Sequence, residues 1–250
     1  MRAASASPLL SEQLEIQLFT ENRVPWHTGE NTCLLNDMSH TPASAPTARE
    51  TQKARTRSAL LDAGLRLLEH QSLSSLGLRE VTRVVGVAPA AFYRHFRDMS
   101  DLGVALVEES LGSLHAVVRE ILAGPAEESA RIERTVTAIA RYVREHPTHI
   151  RFVVRERHGG VPAVRAAIGA QLDRFADEVA GALATDEVSA GWSEQDMRML
   201  GELFVDHMVM TASAFLDAAL GEGPDEESVA HTARRQLQLI SAGRRHWQDG

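Results

Sequence analysis

Apolar positions recur three and four residues apart along most of this chain, and no stretch alternates every second residue, so the pattern predicts helices only. Leu60, Leu61, Leu65, Leu67 and Leu68 stripe a long helix from Arg49 to about His70. Leu78, Val81, Val84 and Val85 stripe a short one, with Gly77 at its N-cap and Glu80 in the capping-box position. A second short helix runs from Pro89 to Phe96. Asp98 with Asp101 opens the next, which continues to about Ala123 and a Gly124-Pro125 break. Further helices follow over Glu127 to Glu145, Pro147 to Arg157 and Pro162 to Ala184. Ser193 with Asp196 caps a long one to Leu220, and Pro224 with Asp225, Glu226 and Glu227 opens the last, to Trp247. The helix to Leu220 is apolar nearly all round and needs cover on both sides. With the apolar face of the last helix it predicts a four-helix dimer interface, the alternative being one thick monomeric core.

Residues 78–96, LREVTRVVGVAPAAFYRHF, carry the most specific local pattern. Gly86 stands where a chain reversal needs positive φ, Val87 plugs the angle, and Pro89 fits a first helical position. Ala88, Ala90 and Ala91 let the second helix's N-terminus approach another surface closely, and Phe92 and Phe96 turn inward. This is the spacing of a helix-turn-helix whose second helix enters a DNA major groove; an ordinary αα-hairpin is the bland alternative.

Charge supports the DNA reading. The chain is net −8, yet residues 49–97 hold nine Lys/Arg against four Asp/Glu, a net of +5. A basic patch confined to the hairpin segment is the footprint of phosphate contacts, although a solvated helix face would also carry charge. Ala88, Pro89, Ala90, Ala91, Tyr93 and His95 are the expected groove or backbone contacts, and Arg55, Arg57, Arg79 and Arg94 the expected phosphate contacts.

Composition narrows the remaining classes. At 250 residues with 44% hydrophobic and 5% aromatic content, the chain suits an Ala- and Leu-rich helical protein. No secretory pattern opens it and no apolar run reads as a membrane span, so the cytoplasm is expected. The one cysteine, Cys33, excludes an internal disulfide. Residues 1–48 read as a disordered extension, with Met38 as the true start; a disordered arm adding DNA contacts is disfavoured by its acidic balance. An enzyme reading rests on Glu202, Asp206 and His207 within one helix, but a di-iron bundle needs a matching Glu-x-x-His elsewhere that is lacking here. No catalytic metal site and no cofactor are expected.

Leu60 to Leu102, with FYRHF (Phe92 to Phe96) most specific, resembles the N-terminal domain of the TetR family, and Arg49 to Trp247 is similar to that family's nine-helix layout. Within it the chain most resembles repressors of unsaturated fatty acid synthesis and their desaturase-repressor relatives. The segments SLGLREV (75–81), GVAPAAFYRHFRDMSDLG (86–103), VVRERHGG (153–160) and RRHWQ (244–248) carry this. Two departures stand out: Asp98-Met99-Ser100-Asp101 where the wider family places a phosphate-contacting Lys, and Thr82 where most such motifs carry Ala, which should slightly open the packing. The resemblance implies an all-α fold with a three-helix DNA-binding head, residues 49–97, on a ligand-binding and dimerisation body, residues 98–250. It implies a homodimeric repressor on an inverted-repeat operator and an acyl-CoA effector in the body. Phe152, Phe175, Phe204, Met208 and Phe215 are then candidate acyl-tunnel residues, each also readable as core, and Arg155 and Arg157 candidate CoA contacts. A regulator of efflux or catabolic genes with another hydrophobic effector is the alternative within the family.

Overall fold

The structure, a computed structural model, describes residues 47–124 and 127–247. The N-terminal tail, Met38, Cys33, Pro125 and Gln248 lie outside the described residues. Among the described residues the regular structure is helical, without strands: α1 (Ala48–Leu67), α2 (Leu78–Val85), α3 (Pro89–Phe92), α4 (Met99–Gly112), α5 (Leu114–Ala123), α6 (Glu128–Glu145), α7 (Pro147–Glu156), α8 (Pro162–Ala184), α9 (Glu194–Leu220) and α10 (Glu226–His246). Counting α4 and α5 as one bent helix gives nine.

Local chemistry sets most boundaries. Thr47 and Glu50 form a reciprocal capping box on α1. The side chains of Asp98, Ser193 and Asp225 each accept the amide three residues on, at 2.8, 3.0 and 2.8 Å. Gly77 at the start of α2 receives no side-chain bond; Glu80 instead accepts Gln71 Nε2 at 3.0 Å, so no capping box forms there. The single helix expected from Asp98 to Ala123 breaks at the Gly112-Ser113 pair, a step that weakens a helix. The Tyr142 hydroxyl donates to the Ser110 carbonyl at 2.5 Å, beside that bend.

Two apolar cores fill the molecule. One runs unbroken from the head (Leu60, Val81, Phe92, Phe96) through α4 (Leu102, Leu106) into α7, α8 and α9. The other joins α6, α7, α9 and α10 around Val136, Val143, Phe215 and Leu237. The head therefore shares its core with the body. Helix α9 is long and apolar enough to cross a membrane by length and composition. In the fold it buries Met197, Leu200, Val205, Phe215 and Leu216 against its neighbours, while Met199, Leu203 and Met210 stay exposed. Val84 is also exposed, at 48%, and so leaves the α2 core stripe in which its spacing places it.

Helices α8 and α9 cross so closely that a Cβ at Gly201 would lie 2.4 Å from the Ala176 carbonyl oxygen. Gly201→Ala must therefore separate two backbones and should cost about 1–3 kcal/mol in urea denaturation. Gly169→Ala, on α8 with nothing within 4 Å, should be neutral or gain up to about 1 kcal/mol from helix propensity. Equal effects of the two would refute the close-crossing account.

Candidate nucleic-acid interface and body cavity

The turn between α2 and α3 is built by backbone bonds. Gly86, at φ 75° and ψ 29°, donates to the Arg83 carbonyl, and the Val87 amide reaches back to Thr82 at 3.0 Å. That pair is a Schellman ending, which requires the left-handed residue glycine adopts freely. Thr82 is buried, yet its hydroxyl donates to the Leu78 carbonyl at 3.1 Å, so the departure from Ala leaves no polar atom stranded. Pro89 starts α3, but α-helical bonding ends at Phe92, not Phe96; Tyr93 to His95 continue as turns. Phe92 and Phe96 are core, with ring centroids 5.5 Å apart.

Ala88, Pro89, Ala90, Tyr93 and Arg94 stand exposed on one small promontory, and Ala91 and His95 are half-buried in it. Tyr93 is 63% exposed and rests edge-on against Phe92. Arg57 lies 5.2 Å over the Phe96 ring, which brings α1 alongside the turn after α3. Lys53, one helical turn before Arg57, acts on His95 together with Arg57 and Arg94. Its spacing to Arg57 marks it in the sequence, but it was not among the expected contacts. Arg55 and Arg79 are exposed on α1 and α2.

The candidate ligand residues separate into two groups. Phe175 and Met208 line an apolar cavity of about 120 Å³ between the two cores, walled by α5, α6, α7, α8 and α9. Phe204 lines a smaller cavity beside it. Phe152 and Phe215 are buried in the first and second cores, away from both cavities. Arg155 Nη1 donates to the carbonyls of Leu68 and Gln71 at 2.8 and 2.9 Å, and Arg157 pairs with Asp206. Those two arginines serve the fold. Sequence reasoning missed Glu156, next in line, whose buried carboxylate accepts the Leu73 amide at 2.8 Å. Glu202 pairs with Arg198, and among the described residues no group of three His, Cys, Asp or Glu side chains could hold a metal.

Burial, then the charges of Lys53, Arg57 and Arg94, push the His95 imidazole below its ordinary range. The folded head therefore holds His95 neutral where the unfolded chain protonates it. As pH falls through the ordinary histidine range, the unfolded state takes up more protons and stability declines. His95→Gln should flatten that decline between about pH 7.5 and pH 5.5. Urea denaturation at both pH values tests this; an unchanged slope would refute it.

The family model for bacterial regulatory proteins of the tetR family matches residues 60–106, which span the helix-turn-helix and its link into the body. Solved structures with the same fold include a regulator assigned to the TetR family from Syntrophomonas wolfei (TM-score 0.64, 13% identity, covering 77% of this chain and 97% of that one). Another is a TetR-family transcriptional regulator from Streptomyces coelicolor (TM-score 0.58, 22% identity, 78% and 97%). A third is the transcriptional regulator FadR from Bacillus subtilis in complex with stearoyl-CoA (TM-score 0.59, 14% identity, 72% and 96%). At these identities the likeness is one of fold. Residues 60–106 match the N-terminal domain of bacterial regulatory proteins of the tetR family, and the chain around them has the fold of TetR-family transcriptional regulators.

Proposed function

We propose that this chain is a repressor of fatty acid and lipid metabolism genes in the bacterial cytoplasm. It binds an inverted-repeat operator as a homodimer, and a long-chain acyl-CoA in the body sets its affinity. The observation that carries the reading is the character of the larger cavity. Of its lining side chains only Thr135 and Tyr142 are polar, and both hydroxyls are already bonded within the protein, to Arg131 O and Ser110 O. The wall therefore asks for no polar atom, and an alkyl chain is the occupant that fits. The stearoyl-CoA complex of the Bacillus subtilis regulator supports the same ligand class.

Dimerisation is supported by apolar side chains the monomer leaves uncovered. Met199, Leu203 and Met210 share the outer face of α9, and Leu239 on α10 is 73% exposed. Two such helices from each subunit form a four-helix interface, and the dimer presents two α3 promontories to successive major grooves.

Fluorescence anisotropy on labelled duplexes from upstream of the protein's own gene and of lipid genes, at fixed salt, tests both halves. Binding should be tight, and palmitoyl-CoA and oleoyl-CoA should shift it. Binding that neither ligand alters would leave the repressor and move its effector to another hydrophobic class. Tyr93→Ala should weaken binding to every duplex by about tenfold, a phosphate- or backbone-type loss, while Ala90→Val should reorder the preference among duplexes. Unchanged binding in both variants would refute the placement of α3.

A further inference from the structure

The apolar cavity adjoins a second of about 70 Å³, and Val118, Ile121, Thr135, Val179 and Met208 line both. These shared side chains form a common wall, and among them Met208 is unbranched and adaptable. The second cavity differs in chemistry, because Arg131, Ser241 and Arg244 bring polar atoms to its wall. Arg244 is only 6% exposed. Its Nε donates to Ser189 Oγ at 3.1 Å and its Nη2 to Asp186 Oδ2 at 2.9 Å. The same Oδ2 accepts Arg131 Nη2 at 3.4 Å. Two guanidiniums thus converge on one carboxylate. Glu128, also on this wall, is taken by Arg245 at 2.7 Å. Among the described residues the bonds of Arg244 use Nε and Nη2 only, so Nη1 is left to donate.

A buried guanidinium with a spare donor, at one end of an otherwise apolar channel, matches an amphiphile with an anionic end. We propose that Arg244 and Arg131, held by Asp186, bind the anionic group of the effector whose alkyl part fills the adjoining cavity. This rests on the reading of that cavity as an alkyl site, and adds the orientation of the ligand within it. The anion is either the carboxylate of a free fatty acid or a phosphate of its CoA ester. Either competes with Asp186 for the guanidiniums, so Asp186 acts as a stand-in anion that keeps the arginines in place until the ligand arrives.

Isothermal titration of the full-length chain with oleate, methyl oleate and oleoyl-CoA, each below its micelle concentration, separates the possibilities. The wild type should bind at least one anionic ligand about tenfold more tightly than the methyl ester, which offers the alkyl chain alone. Tight oleate alone assigns the anion as a carboxylate, and tight oleoyl-CoA alone as a phosphate; both support the site. Asp186→Asn keeps the side chain's shape and removes the competitor, so it should tighten the anionic ligand several-fold and leave methyl oleate unchanged. Arg131→Gln should weaken the anionic ligand only. A purely structural cluster would instead weaken every ligand alike in Asp186→Asn, which overturns the proposal. Methyl oleate binding as tightly as both anions would also overturn it while leaving the alkyl reading intact. Failure of all three ligands to bind the wild type would remove the alkyl reading and this proposal with it.

Discussion

The interaction on which the rest of the structure turns is a pair of adjacent charged side chains at the end of α7. Arg155 holds the carbonyls of Leu68 and Gln71 just past α1, and Glu156 holds the Leu73 amide in the same loop. Burying a carboxylate is costly unless it is bonded, and here one oxygen has its partner while Oε2 has none. Replacing such a group with an apolar side chain would favour stability alone. What the charges provide is register: the head cannot slide or rotate on the body without breaking these bonds, of which the one from the Leu73 amide to Glu156 is buried. Two residues earlier on the same helix, Val153 and Val154 line the body cavity. One helix thus touches the cavity with one turn and grips the DNA-binding head with the next.

This arrangement explains why the head has no core of its own. Phe92 and Phe96 belong to the same apolar cluster as Phe152, Val164 and Phe175, through Leu102 and Leu106 on α4. A head packed independently would be insulated from events in the body. Sharing the core removes that insulation, and the bend at Ser113 extends the contact: Tyr142 lines the cavity and donates to the carbonyl of Ser110, on the helix that joins head to body. The cavity is therefore in mechanical contact with the head by two routes, α7 and α4. Coupling of this kind needs two arrangements of a packed element and a ligand that prefers one of them.

The sequence was legible at most places where local chemistry decides. Asp98, Ser193 and Asp225 cap the helices they precede and the Gly86 turn is written in its own residues, whereas Glu80 turns to Gln71 and leaves Gly77 without its capping box. It was less legible where distance decides. Phe152 and Phe175 look alike in a periodic helix and both belong to the core, yet only Phe175 also lines the cavity, because a void lies between elements far apart in the chain. The break at Ser113 has only the Gly112-Ser113 pair to announce it, a weak signal inside an otherwise periodic apolar stretch. Arg155 and Arg157 read either as CoA contacts or as a solvated helix end, because their partners, Leu68, Gln71 and Asp206, are 49 to 87 positions away. Asp186 is likewise 55 and 58 positions from the arginines it joins.

The void itself has an energetic consequence. Enclosed apolar space left unfilled lowers stability by roughly 24 cal/mol per Å³. For about 120 Å³, partly open to solvent, that sets an upper bound of about 3 kcal/mol. A chain selected for stability alone could fill it: Ala138 and Ala212 on its wall could be larger. On the proposed reading of the cavity as an effector site, leaving it open keeps the packing around the void close in free energy to a packing around the ligand. About 3 kcal/mol is the upper end of the coupling free energies by which one site changes another's affinity. A ligand that recovers this amount in only one packing can therefore bias the head by about a hundredfold, with no contact between ligand and DNA. The cavity, the shared core and the charged grip of α7 are three parts of one requirement, that a change of packing in the body be felt at α3.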